Sequence, residues 1–167
     1  MARSAEIGPP CVTIAELRKL SVTKSAVVLD QLRVIERRSF PANEAFDFGL
    51  NLRSKPGCIV LLACDTSSAT KIVGYVVGVA AQHRMLLHKL CVTSSHQRMG
   101  IGELLLRNLI DRAVNMHCRD MALWVDESRR PATAFYTKLG FEEQQRLEHY
   151  YEHGRTGLKM RLTLDYS

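Results

Sequence analysis

Residues 90–102, Leu90-Cys91-Val92-Thr93-Ser94-Ser95-His96-Gln97-Arg98-Met99-Gly100-Ile101-Gly102, decide how this chain folds. An apolar strand end passes through a polar turn into two glycines and then a helix. Positions 100–115 carry Ile101, Leu104, Leu105, Ile110 and Val114 on one side, the spacing of an amphipathic helix. The start of such a helix exposes unpaired N–H groups and the positive end of its dipole, which makes it an anion site. Gly100 and Gly102 lack a Cβ and let phosphate oxygens approach the backbone, while Arg98 adds a cation. The turn is not a Walker loop, because Gly-Lys-Ser/Thr is missing. It is not a dinucleotide fingerprint either, because a third glycine and a downstream ribose acid are missing.

Outward from this turn the chain reads as one α/β domain. Positions 12–17 alternate as a first strand, and 23–38 place Val27, Val28, Leu32 and Ile35 at helical spacing. Phe40-Pro41 stops that helix, and a short second helix starting at Pro41 or Asn43 is expected to run through Leu52. The apolar segments 58–64 and 72–80 flank the polar cluster 65–70 and predict a hairpin. Further strands are expected at 85–92 and 121–125, then a helix over 131–139 with Pro131 at its start and Gly140 at its cap. Strands over 141–150 and 157–164 close the chain. The order is that of a single layer of mixed sheet with helices packed on it. No repeat, low-complexity tract or long linker divides it, so 11–167 reads as one domain behind a loose lead-in at 1–10.

Composition narrows the class. A chain of 167 residues, 46% apolar and 24% charged, is long enough to bury a core. Its longest apolar run, 58–64, is far short of the roughly 20 residues a membrane span needs, and 1–10 lacks the apolar stretch of a secretory signal. Five scattered cysteines with no CxxC pair and no histidine at zinc spacing read as reduced, buried thiols of an intracellular protein, with no metal centre. The net charge of +6 attracts polyanions, yet no Lys/Arg run and no alternation of aromatic with basic residues marks a nucleic-acid surface. A multiply phosphorylated cofactor accounts for a local share of that charge equally well.

The company of the glycine turn carries a resemblance. Leu90-Cys91-Val92 is followed by Gln97-x-x-Gly100-x-Gly102, and later by Phe135-Tyr136-x-x-x-Gly140-Phe141. This combination resembles the GNAT superfamily of N-acetyltransferases, specifically over 86–142 and in architecture before that. The resemblance implies a mostly antiparallel mixed sheet of about seven strands, splayed at the cofactor strand and flanked by about four helices. It implies acetyl-CoA as cofactor, its pyrophosphate on Gln97, Arg98, Met99, Gly100, Ile101 and Gly102, and its pantetheine arm against Leu90, Cys91 and Val92. Lys138 and Tyr136 join the cofactor set. Arg129 stands where the superfamily often has Asn, which puts a basic residue in reach of a phosphate in place of an amide contact.

For the chemistry, the resemblance places Tyr136 near the thioester sulfur as proton donor and Val92 N–H at the carbonyl oxygen. The plain alternative for Tyr136 is a core aromatic. Strand alternation puts His88 on the face of Leu90 and Val92, where a neutral imidazole can serve as base, or be a structural histidine. His83 and His96 read as surface residues, and His117, His149 and His153 are not placed. The acceptor is open. Glu36-x-x-x-Phe40-Pro41-x-x-Glu44 and the His88 strand resemble arylalkylamine and polyamine acetyltransferases, whereas Tyr150-Tyr151 resembles the tyrosine pair of protein N-terminal acetyltransferases. Both carboxylates can equally be solvated, and the tyrosines can be packing residues. A polyamine would need a locally acidic mouth, built from Glu36, Glu44, Glu142 and Glu143. The expected function is acetyl transfer to a small primary amine, with a protein N-terminal or lysine amine as the alternative and a non-catalytic CoA-binding module as a third. The expected partners are that amine alone, with no nucleic acid and no membrane, for a monomer or homodimer in the cytoplasm or nucleus.

Overall fold

In a computed structural model, which describes residues 11–68 and 70–165, seven strands form one sheet in the order β1-β2-β3-β4-β5-β7-β6. They are β1 (Val12–Glu16), β2 (Cys58–Asp65), β3 (Ile72–Ala81), β4 (Arg84–Val92), β5 (Asp120–Asp126), β6 (Glu142–Glu152) and β7 (Arg155–Thr163). The helices are α1 (Val22–Ser39), α2 (Ile101–Asn115) and α3 (Arg130–Lys138). Every neighbouring pair is antiparallel except β4 and β5. That parallel pair requires a crossover, and α2 supplies it. The lead-in expected at 1–10 lies outside the described residues.

The two faces of the sheet hold separate cores. Leu105, Leu106, Leu109 and Ala113 of α2 pack on Ile59, Leu61, Val73, Val76, Met85 and Met121. On the other face Val28, Leu29, Leu32 and Ile35 of α1 pack on Val60, Leu62, Tyr75 and Val77. Strands β2 and β3 are apolar on both faces because they lie between these two layers. Four of the five cysteines are buried in this way, while Cys11 is exposed.

The expected second helix does not form. Between α1 and β2 the chain makes two 3-10 turns, Ala42–Glu44 and Leu50–Ser54, joined by an extended stretch. Phe48 is 1% exposed and Phe46 packs edge-on to it, so residues two apart face inward, which is extended rather than helical spacing. Phe46 N–H also donates to Glu36 Oε1 at 2.8 Å, a bond that a continuing helix would take away.

Close packing at one glycine gives a stability test. A Cβ on Gly78 would lie 2.8 Å from Met85 Sδ and 2.9 Å from Leu109 Cδ1. Gly78→Ala should destabilise the fold by about 1–3 kcal/mol in chemical denaturation, as overpacking does. In a Leu109→Ala background the same change should cost less, a coupling that additive costs would refute.

Candidate active site

Strands β4 and β5 stay paired only from Arg84–Asp120 to Leu87–Leu123 and then part. Thr93 N–H donates to Val73 O at 2.8 Å, which sets Thr93 at a hydrogen-bonded position of the ladder. Antiparallel alternation then turns the N–H and C=O of Val92 and Leu90, opposite Gly74 and Val76, away from β3 and into the cleft. The Val92 carbonyl is taken by Gln97 Nε2 at 3.1 Å. The Val92 N–H and both backbone groups of Leu90 are thus offered to a ligand lying along the edge, as the resemblance implied. Cys91 drops out of that set. Its backbone faces β3, and its thiol donates to Ser39 Oγ on the α1 side.

At the end of the strand the turn is built as an anion receptor. Arg98 and Gly100 adopt positive φ of 64° and 80°, and Gly100 caps α2 without any side-chain cap. The first helical bond is Leu104 N–H to Gly100 O, so the N–H groups of Ile101, Gly102 and Glu103 have no partner within the helix. A Cβ on Gly102 would make only ordinary contacts with Phe135 and Val92, so the chain itself leaves room there for a ligand to use. Lys138 reaches this helix start and pairs with Glu103 at 3.4 Å. These groups fit a phosphate-bearing cofactor with an extended amide arm.

His88 requires a correction. Val77 pairs with Lys89 and Gly78 with Leu87, so His88 is the extra residue of a β-bulge. The bulge reverses the alternation. Leu90 and Val92 pack with the α2 core, whereas His88 faces Phe46, with ring centroids 6.0 Å apart, on the α1 side. The imidazole therefore looks into the face opposite the anion turn. Desolvation in the pocket, then the Lys55 and Lys89 charges, holds it below its ordinary value. It is neutral at physiological pH.

A pocket of about 600 Å³ runs through the parting of the strands. Its walls include Phe40, Glu44, Phe46, His88, Lys89, Trp124, Arg129, Tyr136, Tyr150 and Tyr151, while Val92 and 97–102 lie outside it. Tyr136 packs edge-on to Phe135 and Phe141, and burial, then nearby Tyr151, raises its phenol well above the usual range. It stays protonated. Tyr151 is pushed up to about 12, burial first. Tyr150 stacks on Trp124 at 4.1 Å and lies across Gly157, where a Cβ would sit 2.7 Å from the ring.

The acidic candidates are both spoken for. Glu36 is 2% exposed and accepts from Tyr75, Phe46 N–H and Lys89, so it braces the wall and does not reach the mouth. Glu44 pairs with Arg155 at 2.6 Å and Arg129 at 3.3 Å. Arg129 thereby lies at the mouth, 5.4 Å from the Phe40 ring, and its assignment to a cofactor phosphate is withdrawn. Pro41 is exposed at the start of the 3-10 turn that carries Glu44. Glu142 and Glu143 are exposed on β6, with Glu143 held by Arg146. No acidic mouth is assembled from these four.

Sequence reasoning missed Trp124, Phe46, Lys89 and Arg155. Trp124 was legible in principle: Met121, Leu123 and Val125 face the α2 core, which turns Trp124 to the other face. Arg155 bridges Glu44, Asp126 and Glu152 and lies 5.2 Å from the Tyr151 ring, and no local pattern announces that.

Residues 28–141 match the model of the Acetyltransferase (GNAT) family. The chain is 22% identical over 164 residues to N-alpha-acetyltransferase 30 of Dictyostelium discoideum, covering 96% of this chain and 86% of that protein. Its fold is similar to that of the ribosomal-protein-S18-alanine N-acetyltransferase from Escherichia coli, with a TM-score of 0.75 at 22% identity, over 93% of this chain and 96% of that one. It is also similar to Arabidopsis thaliana NAA60 in complex with acetyl-CoA, with a TM-score of 0.75 at 16% identity, over 91% and 99% of the two chains.

The Arg155 bridge carries a pH signature. Burial alone would raise the Asp126 carboxyl, but bonds from Ser128 and Arg155 outweigh it and hold the carboxyl low. A depressed carboxyl stabilises the fold above its unfolded value and loses that contribution as pH falls. Arg155→Met should lower the melting temperature at neutral pH, and the gap to wild type should narrow below about pH 4. A gap independent of pH would remove Asp126 from the bridge.

Proposed function

This chain belongs to the acetyltransferase (GNAT) family and is an acetyl-CoA-dependent N-acetyltransferase, and from that premise we propose that it acetylates the α-amine of a peptide or protein N-terminus. The observation that carries this reading is the absence of a free carboxylate at the mouth among the described residues. Glu36 and Glu44 are consumed, and the field at His88 comes from Lys55 and Lys89. Such a site disfavours ammonium. At about pH 7.4 an α-amine of ordinary pKa near 8 is roughly a fifth neutral, whereas a lysine or alkylamine near 10.4 is about a thousandth neutral. A weak base beside cations suits the first and not the second.

The rest of the site agrees. Bound acetyl-CoA supplies the acetyl group as a thioester along the Leu90–Val92 edge. His88, facing the acceptor side, takes the proton from the attacking amine directly or through water. Val92 N–H is the donor for a carbonyl oxygen that gains charge. Tyr136 Oη keeps its proton through burial and holds it for the leaving sulfur. The acceptor lies between the Phe40–Phe46 lip and the Tyr150–Tyr151 lip, on a floor open along β5 and β7, which suits an extended chain. The aromatic wall of Phe46, Trp124 and Tyr150 favours a second reading, a small arylalkylamine. Polyamines find no acidic site.

Free-thiol release from acetyl-CoA separates these. With peptides, tryptamine-like amines and polyamines compared at pH 7.4, kcat/KM should be about tenfold or more higher for peptides with free N-termini. Release with small amines alone would overturn the proposal. Below the limb near pH 8 set by the substrate amine itself, the pH profile should carry a second acidic limb under pH 6.5, since the His88 imidazole is held under its ordinary value. His88→Gln should abolish that limb, and Tyr136→Phe should lower kcat by about 10²–10⁴. A profile unchanged by His88→Gln would exclude it as base.

A further inference from the structure

One cation in the acceptor pocket is not accounted for by the chemistry above. Lys159 lies on β7 directly opposite Trp124, and both side chains belong to the pocket wall. Its neighbours along the strand, Leu158 and Met160, pack into the α2 core, so Lys159 faces the acceptor side. It is half-buried, and its partner across β6 is Gln145, which carries no charge. Among the described residues it has no ion pair.

The surrounding charges explain why it stays unpaired. Glu36 is taken by Lys89, Glu44 by Arg129 and Arg155, and Asp126 by Arg155 and Ser128. Glu152 is taken by Arg155, and Asp120, lower on β5, by Arg84 and Arg161. Each of these five carboxylates is already held by at least one cation, with Arg155 shared among Glu44, Asp126 and Glu152. Lys55 and Lys89 add to the positive side of the balance at His88. A half-buried, unneutralised ammonium in a binding pocket is held at a cost in desolvation that a ligand anion relieves.

Position says where on the acceptor that anion sits. His88 follows Leu87, which pairs with Leu123, so His88, Trp124 and Lys159 lie nearly level across adjacent strands. Two strand spacings of about 4.8 Å put the His88 and Lys159 backbones at least roughly 10 Å apart, and the parting of β4 from β5 after Leu87 widens that span. An extended acceptor chain advances about 3.5 Å per residue, so three residues cover about 10 Å and the side chains of Lys159 and of an acidic residue reach across the rest.

We propose that Lys159 is an anion-binding contact of the acceptor site, and that the preferred acceptor N-terminus carries an aspartate or glutamate side chain at its second or third residue. This rests on the α-amine reading above. An arginine lip closed on Glu44 and an aromatic wall position the chain, and Lys159 selects its charge.

Paired heptapeptides test it, identical except for Glu or Gln at the second residue, and in a second pair at the third. Thiol release with the intact enzyme should favour the Glu peptide of at least one pair by about fivefold in kcat/KM, the scale of one part-buried charge contact. That ratio should shrink as salt rises. Lys159→Gln should bring the ratio to about one, and Lys159→Glu should invert it in favour of a Lys-bearing peptide. Peptide turnover with equal rates for Glu and Gln, or a preference that survives Lys159→Gln, would overturn the Lys159 proposal alone. Turnover of small amines with no peptide turned over would overturn the α-amine reading and this proposal with it.

Discussion

Everything at this site depends on backbone groups that the sheet leaves unpaired. A strand inside a sheet normally has its N–H and C=O groups satisfied on both sides, and leaving them open is costly. Here β5 turns away after Leu123, and the edge from Leu90 to Val92 has no neighbour on that side. The parting is held from both faces. Beneath, Leu105 and Ile101 of α2 pack on the α2 core; above, Cys91 and Lys89 are tied to Ser39 and Glu36 of α1. The cleft is a fixed part of the fold.

Glu36 is the second fixed point. A carboxylate 2% exposed is expensive unless it is fully bonded, and Glu36 meets that condition with Tyr75, Phe46 N–H and Lys89. Those three partners belong to β3, the acceptor lip and the bulged strand. One buried charge therefore sets the position of the lip relative to His88. The same bond that breaks the expected second helix gives the acceptor side its shape.

The donor half of the site was legible in the sequence because it is local. Gln97, Gly100 and Gly102 follow Val92 within ten residues, and their roles are backbone roles that glycine spacing encodes. Strand positions came through for the same reason, since apolar alternation is a local signal. His88 was misplaced because a bulge is a mismatch between two strands, and β4 alone carries no trace of it. Glu36 and Glu44 look alike as helix-end carboxylates. Only the fold buries one and gives the other to Arg155, 111 positions away.

That distance in sequence explains why donor and acceptor differ in kind as well as in legibility. The donor edge presents N–H and C=O groups that any side chain in the same register would present. The pocket floor is made of side chains from within residues 40–46, 86–90, 122–129 and 150–159, brought together by the β5-β7-β6 end of the sheet. Each can change without altering the donor edge, because that edge is backbone and the floor is side chains. The bulge at His88 is the hinge of this arrangement: beyond it the strand's backbone edge lies open, and the His88 imidazole turns into the pocket. On the floor itself Glu44 and Asp126 are held by arginines, while Lys159 has no ion pair among the described residues.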